Sequence, residues 1–313
     1  MSNLATVETT ALGPGFNLAA VNLATRALAP NSRAAYRQAL ERLAASTGGQ
    51  PVTDGSLAAH VQDLHNQGMA PASISIVPAA VRYYARAHGA ADPVGPMTKA
   101  AMRIVRREGR GRGRGQAGGI KWEQADAAAA VAGNGGQDPA GLRDAAILAI
   151  MSDCLLRVSE VADLDVSDLD ASYPDGSGTV TLRASKTDQE GEGVTLYVGP
   201  ATVQRVQAWT GKAGLTDGPL FRRIRRGGHV QADRITARAV QGIVKARAQA
   251  AGIVGNVSGH SLRVGAAQSL AQAGAGVVEM QTAGRWASPD MPGRYARREM
   301  AARGAVARLR YGQ

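Results

Sequence analysis

Four side chains with distinct chemistry lie close together in residues 259–298: His260, Arg263, Trp286 and Tyr295. Aromatic residues are only 4% of the chain, so two of them, Trp286 and Tyr295, are not expected to lie so near a histidine and an arginine by chance. A guanidinium matches phosphate oxygens, an imidazole titrates near neutrality, and a tyrosine hydroxyl becomes a nucleophile when a base or a cation helps it ionise. The combination suits phosphodiester chemistry. The alternative is two packed helices in which these side chains are only structural.

Two further candidates lie upstream. Arg157 follows a break in a long apolar helix, and Lys186 lies in the turn between two strand-like runs, where a lysine could give a proton to a leaving alkoxide. Each has an ordinary alternative, because arginine often caps a helix C-terminus and turn lysines are usually only solvated. Tyr311 is a competing nucleophile, but no motif surrounds it.

The charge balance points to a polyanionic partner. The chain has 36 Lys and Arg against 25 Asp and Glu, a net charge of +11. Such an excess favours nucleic acid, whereas a membrane surface would need a basic helix with bulky apolar residues on its other face, and none stands out. A merely solvated basic surface is the remaining alternative.

Composition predicts a soluble, cytoplasmic protein without a cofactor. No apolar run reaches the roughly 18 residues that span a bilayer, no secretory signal is visible, and Cys154 is the single cysteine. The five histidines are scattered, and the chain lacks His-Glu-x-x-His and Walker-type motifs. We therefore expect neither a bound metal nor ATP.

The pattern of residues predicts two domains. Residues 1–19 form a loose tail and residues 20–107 an all-helical basic domain. Residues 108–119 alternate Gly and Arg, which cannot hold a helix and so predict a linker. Residues 120–313 combine helices with a small antiparallel β-sheet. The fold class is thus mainly α with a small antiparallel sheet.

Several local features are also predicted. Pro78 should kink or restart a helix, and the long apolar helix should break near Cys154 and restart at Ser159. The runs "TVTLRA" and "VTLYVG" predict two strands. Pro289 and Pro292 are expected to separate Tyr295 from the rigid core.

Four motifs, in order and spacing, carry a resemblance to a known family. They are "LLRVSEVADLDVSDLD", "LRASKTDQEGEG", "GHSLRVGAAQSLAQAGA" and "GRWASPDMPGRYAR". A lone His-x-x-Arg would be weak, since any helix can place those residues three apart. Together the motifs resemble the tyrosine recombinases. The resemblance implies a helical core-binding domain of the SAM-like type followed by an α+β catalytic domain.

The resemblance also implies roles for the matching residues. Tyr295 would be the nucleophile that forms a 3′-phosphotyrosyl intermediate, His260 the proton-transfer residue beside the phosphate, and Lys186 the general acid for the departing 5′-oxygen.

The remaining matching residues would support the site. Arg157 and Arg263 would grip the non-bridging phosphate oxygens, Trp286 would support the site, and Glu160 would orient it.

The implied activity is site-specific recombination of double-stranded DNA. Strands would be cleaved and rejoined through a Holliday junction within a tetramer on two duplexes that carry inverted-repeat sites, the free protein being a monomer. The last segment has an apolar side, Ala302, Val306 and Leu309, that would dock into a neighbouring protomer. Two alternatives share features of the sequence: a DNA-binding regulator with a vestigial catalytic fold, and a type IB topoisomerase-like enzyme that acts alone.

Basic residues outside the catalytic set are candidate DNA contacts, which position a protein on the phosphates without reading sequence. The predicted contacts are Arg82, Arg86, Arg106, Arg107, Arg110, Arg112, Arg222, Arg223, Lys245 and Arg247.

Overall fold

The structure is a computed structural model that describes residues 25–113, 115–134, 136, 138–183, 193–302 and 304–312. It separates into two compact units, with the division between Gly115 and Gln116, inside the predicted linker. Each unit is described by itself. Within the described residues no helix is both long and apolar enough to span a membrane.

The first unit is helical, as predicted. Its helices are α1 (Pro30–Thr47), α2 (Asp54–Asn66), α3 (Pro71–Ile74), α4 (Ile76–Ala87) and α5 (Pro96–Glu108). Buried Leu43, Leu57, Val81 and Val105 help form one apolar core. Pro78 lies in the first turn of α4, where its missing N–H and fixed φ are tolerated, so the helix restarts at Ile76.

Two polar contacts fix the ends of α2. At its start, Asp54 accepts hydrogen bonds from the backbone N–H groups of Gly95 (2.9 Å) and Thr98 (2.9 Å), and so caps the first turn of α5. Beyond its end, Arg112 donates to the carbonyl oxygen of His65 at 2.8 Å. The first part of the predicted linker is therefore attached to the helical unit.

The second unit combines helices with two small antiparallel sheets. Its helices are α6 (Trp122–Gly133), α7 (Pro139–Asp153), α8 (Val158–Asp163), α9 (Pro200–Ala213), α10 (Ala237–Ala250), α11 (Ser261–Gln272), α12 (Val277–Gly284), α13 (Asp290–Tyr295), α14 (Arg297–Ala302) and α15 (Ala305–Tyr311). Its strands are β1 (Leu169–Asp170), β2 (Gly178–Leu182), β3 (Val194–Val198), β4 (Arg222–Arg225) and β5 (His229–Arg234).

The sheets follow the sequence pattern in part. The two predicted strands are β2 and β3, which pair antiparallel with Val180 opposite Leu196, and β1 joins the edge of β2. The hairpin of β4 and β5 was not predicted, because its arginines read as surface charge rather than as a strand. The predicted break near Cys154 is confirmed, since α7 ends at Asp153 and α8 begins at Val158.

Helix α11 carries one of the four sequence motifs and makes an unusually close backbone contact. A Cβ atom at Gly265 would lie 1.8 Å from the carbonyl oxygen of Ile120. The backbone N–H of Ile120 in turn donates to the carbonyl of Ser261 at 2.9 Å. Glycine at this position lets the segment before α6 pack directly on α11.

We expect Gly265→Ala to lower the free energy of unfolding by about 3 kcal/mol, because the new methyl group meets rigid backbone and forces a shift. The matched control is Gly242→Ala on α10, where nothing lies within 4 Å of the added Cβ. That change should raise stability by up to about 1 kcal/mol through helix propensity. Urea-induced unfolding of both variants measures the difference, and equal stabilities would contradict the close contact.

Candidate active site

Tyr295 and His260 form the centre of the candidate site. Tyr295 is the last residue of α13, and His260 directly precedes α11. The Tyr295 Oη atom lies 2.9 Å from the His260 Nε2 atom, and the two rings meet edge to face with centroids 5.4 Å apart. This distance allows a proton to pass between them.

The prolines before Tyr295 have a different effect from the one predicted. Pro289 occupies the N-cap position of α13, and Pro292 lies in its first turn. Both positions tolerate proline, so the residues start a short helix instead of interrupting one. The Tyr295 ring also packs against Trp286, with centroids 5.7 Å apart. The tyrosine thus belongs to the packed core around α11 in this structure.

His260 is poised to accept a proton. Burial lowers its pKa below the ordinary histidine value, and the positive charges of Arg263 and Arg157 lower it further. The imidazole is therefore neutral at pH 7, and a neutral ring nitrogen can accept the proton of the Tyr295 hydroxyl.

Arg157 and Glu160 lie at the start of α8 and hold each other. The Arg157 backbone N–H donates to Glu160 Oε2 at 2.8 Å, and the Arg157 guanidinium donates to Glu160 Oε1. Burial alone would raise the pKa of Glu160, but the Arg157 N–H bond and the charges of Arg285 and Arg157 hold it below its ordinary value. The carboxylate is therefore ionised and fixes the guanidinium, whose side chain remains 23% exposed.

Arg263 is more enclosed than its predicted contact with a phosphate suggests. The residue is 1% exposed, and its two terminal nitrogens donate to the carbonyl oxygens of Leu155 and Gly284. Its guanidinium carbon lies 4.8 Å from the Trp286 ring centroid, a cation–π contact. Burial and the charges of Arg157 and Arg285 lower the pKa of Arg263 to about 9, which leaves it charged at neutral pH.

Trp286 covers one side of this cluster. The residue is buried, and its ring lies against Gly284, where an added Cβ would be 2.1 Å from a ring carbon. Glycine at 284 therefore permits the close packing of the tryptophan ring on the backbone.

The sequence did not single out Arg285, the residue between Gly284 and Trp286. Its guanidinium donates to Glu160 Oε2 at 2.9 Å and to the Cys154 carbonyl at 3.0 Å. No local pattern marks this role, because the partners lie 125 and 131 residues away.

Two other sequence candidates are Lys186 and Tyr311. Lys186 falls outside the described residues. Tyr311 is on α15 with 64% of its surface exposed, and no contact with the catalytic cluster is found for it in the described structure.

The candidate DNA contacts divide into two groups. Six donate to acceptors within the protein. Arg82, Arg107, Arg223 and Arg247 pair with the carboxylates of Asp92, Glu108, Asp233 and Asp144, respectively. Arg112 and Arg222 donate to backbone carbonyl oxygens. The other four, Arg86, Arg106, Arg110 and Lys245, are exposed. The buried partner Asp144 makes Arg247 in particular a structural residue of α10.

Comparison with known proteins identifies the family of the second unit. The sequence profile of the phage integrase family matches residues 121–302. Recombinase cre of Escherichia phage P1 is 31% identical over 185 residues, a match that covers 54% of this chain and 53% of that protein. The chain thus aligns with about half the length of this curated relative.

Solved structures share the fold at low identity. A XerH site-specific recombinase bound to a palindromic difH substrate superposes with a TM-score of 0.66 at 11% identity, covering 98% of this chain and 93% of that one. The Tn1549 transposon integrase in complex with circular intermediate DNA gives 0.64 at 13%, covering 96% and 99%. A lambda integrase dimer bound to a COC′ core site gives 0.61 at 14%, covering 89% and 75%. The family profile, the motifs and the fold agree: the chain belongs to the phage integrase family of tyrosine recombinases.

Proposed function

We propose that the chain is a site-specific DNA recombinase that cleaves and rejoins strands through a 3′-phosphotyrosyl intermediate. The observation that carries the proposal is the 2.9 Å contact between Tyr295 Oη and His260 Nε2, beside the guanidiniums of Arg157 and Arg263. A nucleophile, a neutral base and two guanidinium cations are the groups that attack on a phosphodiester needs.

Three side chains account for the bonds and protons of the cleavage step. Tyr295 Oη bonds to the scissile phosphorus as the bond from phosphorus to O5′ breaks. The phenol proton passes to His260 Nε2, and the departing O5′ takes a proton from Lys186. The 5′-hydroxyl of another strand then attacks the phosphotyrosine and gives its proton to Lys186, while the departing Tyr295 oxygen takes back the proton held by His260. The phosphate bond energy is retained throughout, so strand transfer requires no ATP.

The two arginines contribute differently in the DNA-free structure. Arg157 is partly exposed and can donate directly to a phosphate oxygen. Arg263 is buried, so a direct bond to phosphate requires that the packing around its guanidinium open first. Until then it acts through its charge and by holding Trp286, which packs against the nucleophile.

Assembly on DNA is part of the proposal. The net charge of +11 suits a duplex partner. On α15, Val306 and Leu309 are 69% and 85% exposed, which supports docking of this segment into a second copy of the chain. A tetramer on two inverted-repeat sites, with a Holliday junction between the two strand exchanges, would follow from such docking.

A nicked suicide substrate made from DNA that flanks the protein's own gene tests the proposal. Because the short fragment that carries the new 5′-hydroxyl diffuses away, the covalent complex accumulates and runs as a larger species on a denaturing gel. Peptide mapping should locate the DNA on Tyr295. Linkage at Tyr311, the absence of any adduct, or cleavage that is equally frequent on unrelated DNA would contradict the proposal.

The pH dependence of cleavage tests the role of His260. Its pKa lies below the ordinary value of about 6.5 because burial and two arginines disfavour its charged form, so the neutral base persists into more acidic solution. We expect the single-turnover rate to hold its plateau as pH falls past about 6.5 and to decline only at lower pH. A decline centred above this value would contradict the assignment, and His260→Gln should lose the acidic decline along with most of its rate.

A further inference from the structure

The αL turn at Arg285 connects two parts of the candidate site that are distant in sequence. The Arg285 side chain is 8% exposed and reaches across to the turn between α7 and α8. There it donates to the carbonyl oxygens of Cys154 at 3.0 Å and Leu155 at 3.3 Å, and to Glu160 Oε2 at 2.9 Å. The same turn leads into Arg157, so Arg285 holds the backbone and the carboxylate on which the Arg157 guanidinium depends.

Backbone strain accompanies this contact. Leu155 and Arg285 are the two non-glycine residues in the described structure with positive φ, at 50° and 52°. A side chain in this region crowds the neighbouring carbonyl, so both residues need compensating interactions. The Leu155 carbonyl accepts hydrogen bonds from both Arg285 and Arg263, and the two strained turns are thereby joined.

The charges in the cluster indicate why an arginine occupies position 285. The two carboxylate oxygens of Glu160 accept from different guanidiniums. Oε1 accepts from Arg157 and Oε2 accepts from Arg285. Three guanidiniums and one carboxylate leave a local charge of +2 when His260 is neutral. A phosphodiester carries one negative charge, and the five-coordinate transition state carries a second. Arg285 therefore offsets the negative charge of Glu160, which would otherwise weaken the positive field of Arg157 and Arg263 as negative charge develops on the phosphate.

We propose that Arg285 is a positioning residue for strand cleavage. It holds the Glu160 side chain against Arg157, and it neutralises the Glu160 carboxylate so that Arg157 and Arg263 remain available to the phosphate. This inference rests on the proposed function. Arg285 acts through Glu160 and the Leu155 carbonyl, to which its guanidinium is hydrogen-bonded.

Arg285→Gly tests the proposal with the least disturbance of the backbone, since glycine adopts a positive φ without strain. We expect single-turnover cleavage of the suicide substrate at saturating protein to slow by about 10- to 100-fold. DNA affinity, measured separately, should change by no more than about threefold, because the exposed phosphate contacts are intact. Arg285→Lys should recover part of the rate, since it restores the charge but not the planar fork.

The control is Arg205→Gln in the same unit. Arg205 lies on α9 and approaches Asp126 at 3.7 Å, so the change also removes a partly enclosed arginine opposite a carboxylate. It should cleave at the wild-type rate. Thermal unfolding of every variant is measured first, and rates are compared well below the lowest midpoint.

A substrate with a methylphosphonate at the scissile position separates charge from structure. Replacing one non-bridging oxygen by methyl removes one negative charge from both ground and transition states, so less positive charge is needed. Relative to wild-type protein on the same substrate, Arg285→Gly should then lose less than about threefold. An equal loss on both substrates, or no loss on either, would overturn this inference alone. Absence of the adduct from the wild-type protein would overturn the proposed function and this inference with it.

Discussion

Tyr295→Phe should form no covalent complex with DNA while it keeps wild-type affinity for the same substrate. The change deletes the Tyr295 Oη atom, which is the proposed nucleophile. This oxygen lies 2.9 Å from Nε2 of the neutral His260 imidazole. The ring itself stays packed against His260 and Trp286, so we expect stability to fall by no more than the loss of one hydrogen bond, about 1 kcal/mol. DNA binding depends on phosphate contacts elsewhere and should not change.

Tyr311→Phe is the matched control for this experiment. Tyr311 is exposed on α15 and carries the same hydroxyl group. Its variant should accumulate the covalent complex at the wild-type rate. A residual adduct in Tyr295→Phe that disappears in the double variant would transfer the nucleophilic role to Tyr311.

The second large effect is expected for Arg263→Lys, which should lower the rate of strand cleavage by about 10²- to 10³-fold. Lysine keeps the charge but cannot reproduce two parallel donor groups. In this structure those donors hold Leu155 and Gly284, and the guanidinium lies against the Trp286 ring. The variant therefore loses both the support of Trp286 and the donors that a phosphate would use.

A buried arginine away from the site provides the comparison. Arg143 on α7 is 9% exposed and donates to Asp144 Oδ1 from Nε at 3.0 Å and from Nη2 at 2.8 Å. Arg143→Lys should reduce the thermal midpoint, as Arg263→Lys does, because each breaks a buried charged hydrogen bond. Only Arg263→Lys should slow cleavage below both midpoints. Equal cleavage rates in the two variants would show that Arg263 contributes to stability alone.

The predictions from sequence succeeded where chemistry and periodicity are local. The β2 and β3 strands, the break after α7 and the helical first unit follow from residue alternation, helix breakers and apolar spacing. The hairpin of β4 and β5 was missed because arginine-rich strands lack that alternation. Pro289 and Pro292 were interpreted as breaks, whereas in the structure they lie at the start of α13, where proline is tolerated because the first N–H groups of a helix have no intrahelical acceptor.

Among the candidate DNA contacts, sequence could not separate surface charge from structural charge. Arg247 and Lys245 are two residues apart on one helix, yet Arg247 pairs with buried Asp144 and Lys245 is exposed. Both side chains carry one positive charge, and only the packing of α10 on α7 distinguishes their roles.

The sequence by itself determined the family, the order of the candidate catalytic residues and the net positive charge that favours a polyanionic partner. Only the tertiary structure decided how those residues meet: that Tyr295 contacts His260, that Arg263 is enclosed, and that Arg285 shares Glu160 with Arg157. The physical reason is distance along the chain. Motifs and periodicities report on neighbours within a few residues, whereas the contacts of Arg263 with Leu155 and of Arg285 with Glu160 join residues 108 and 125 positions apart.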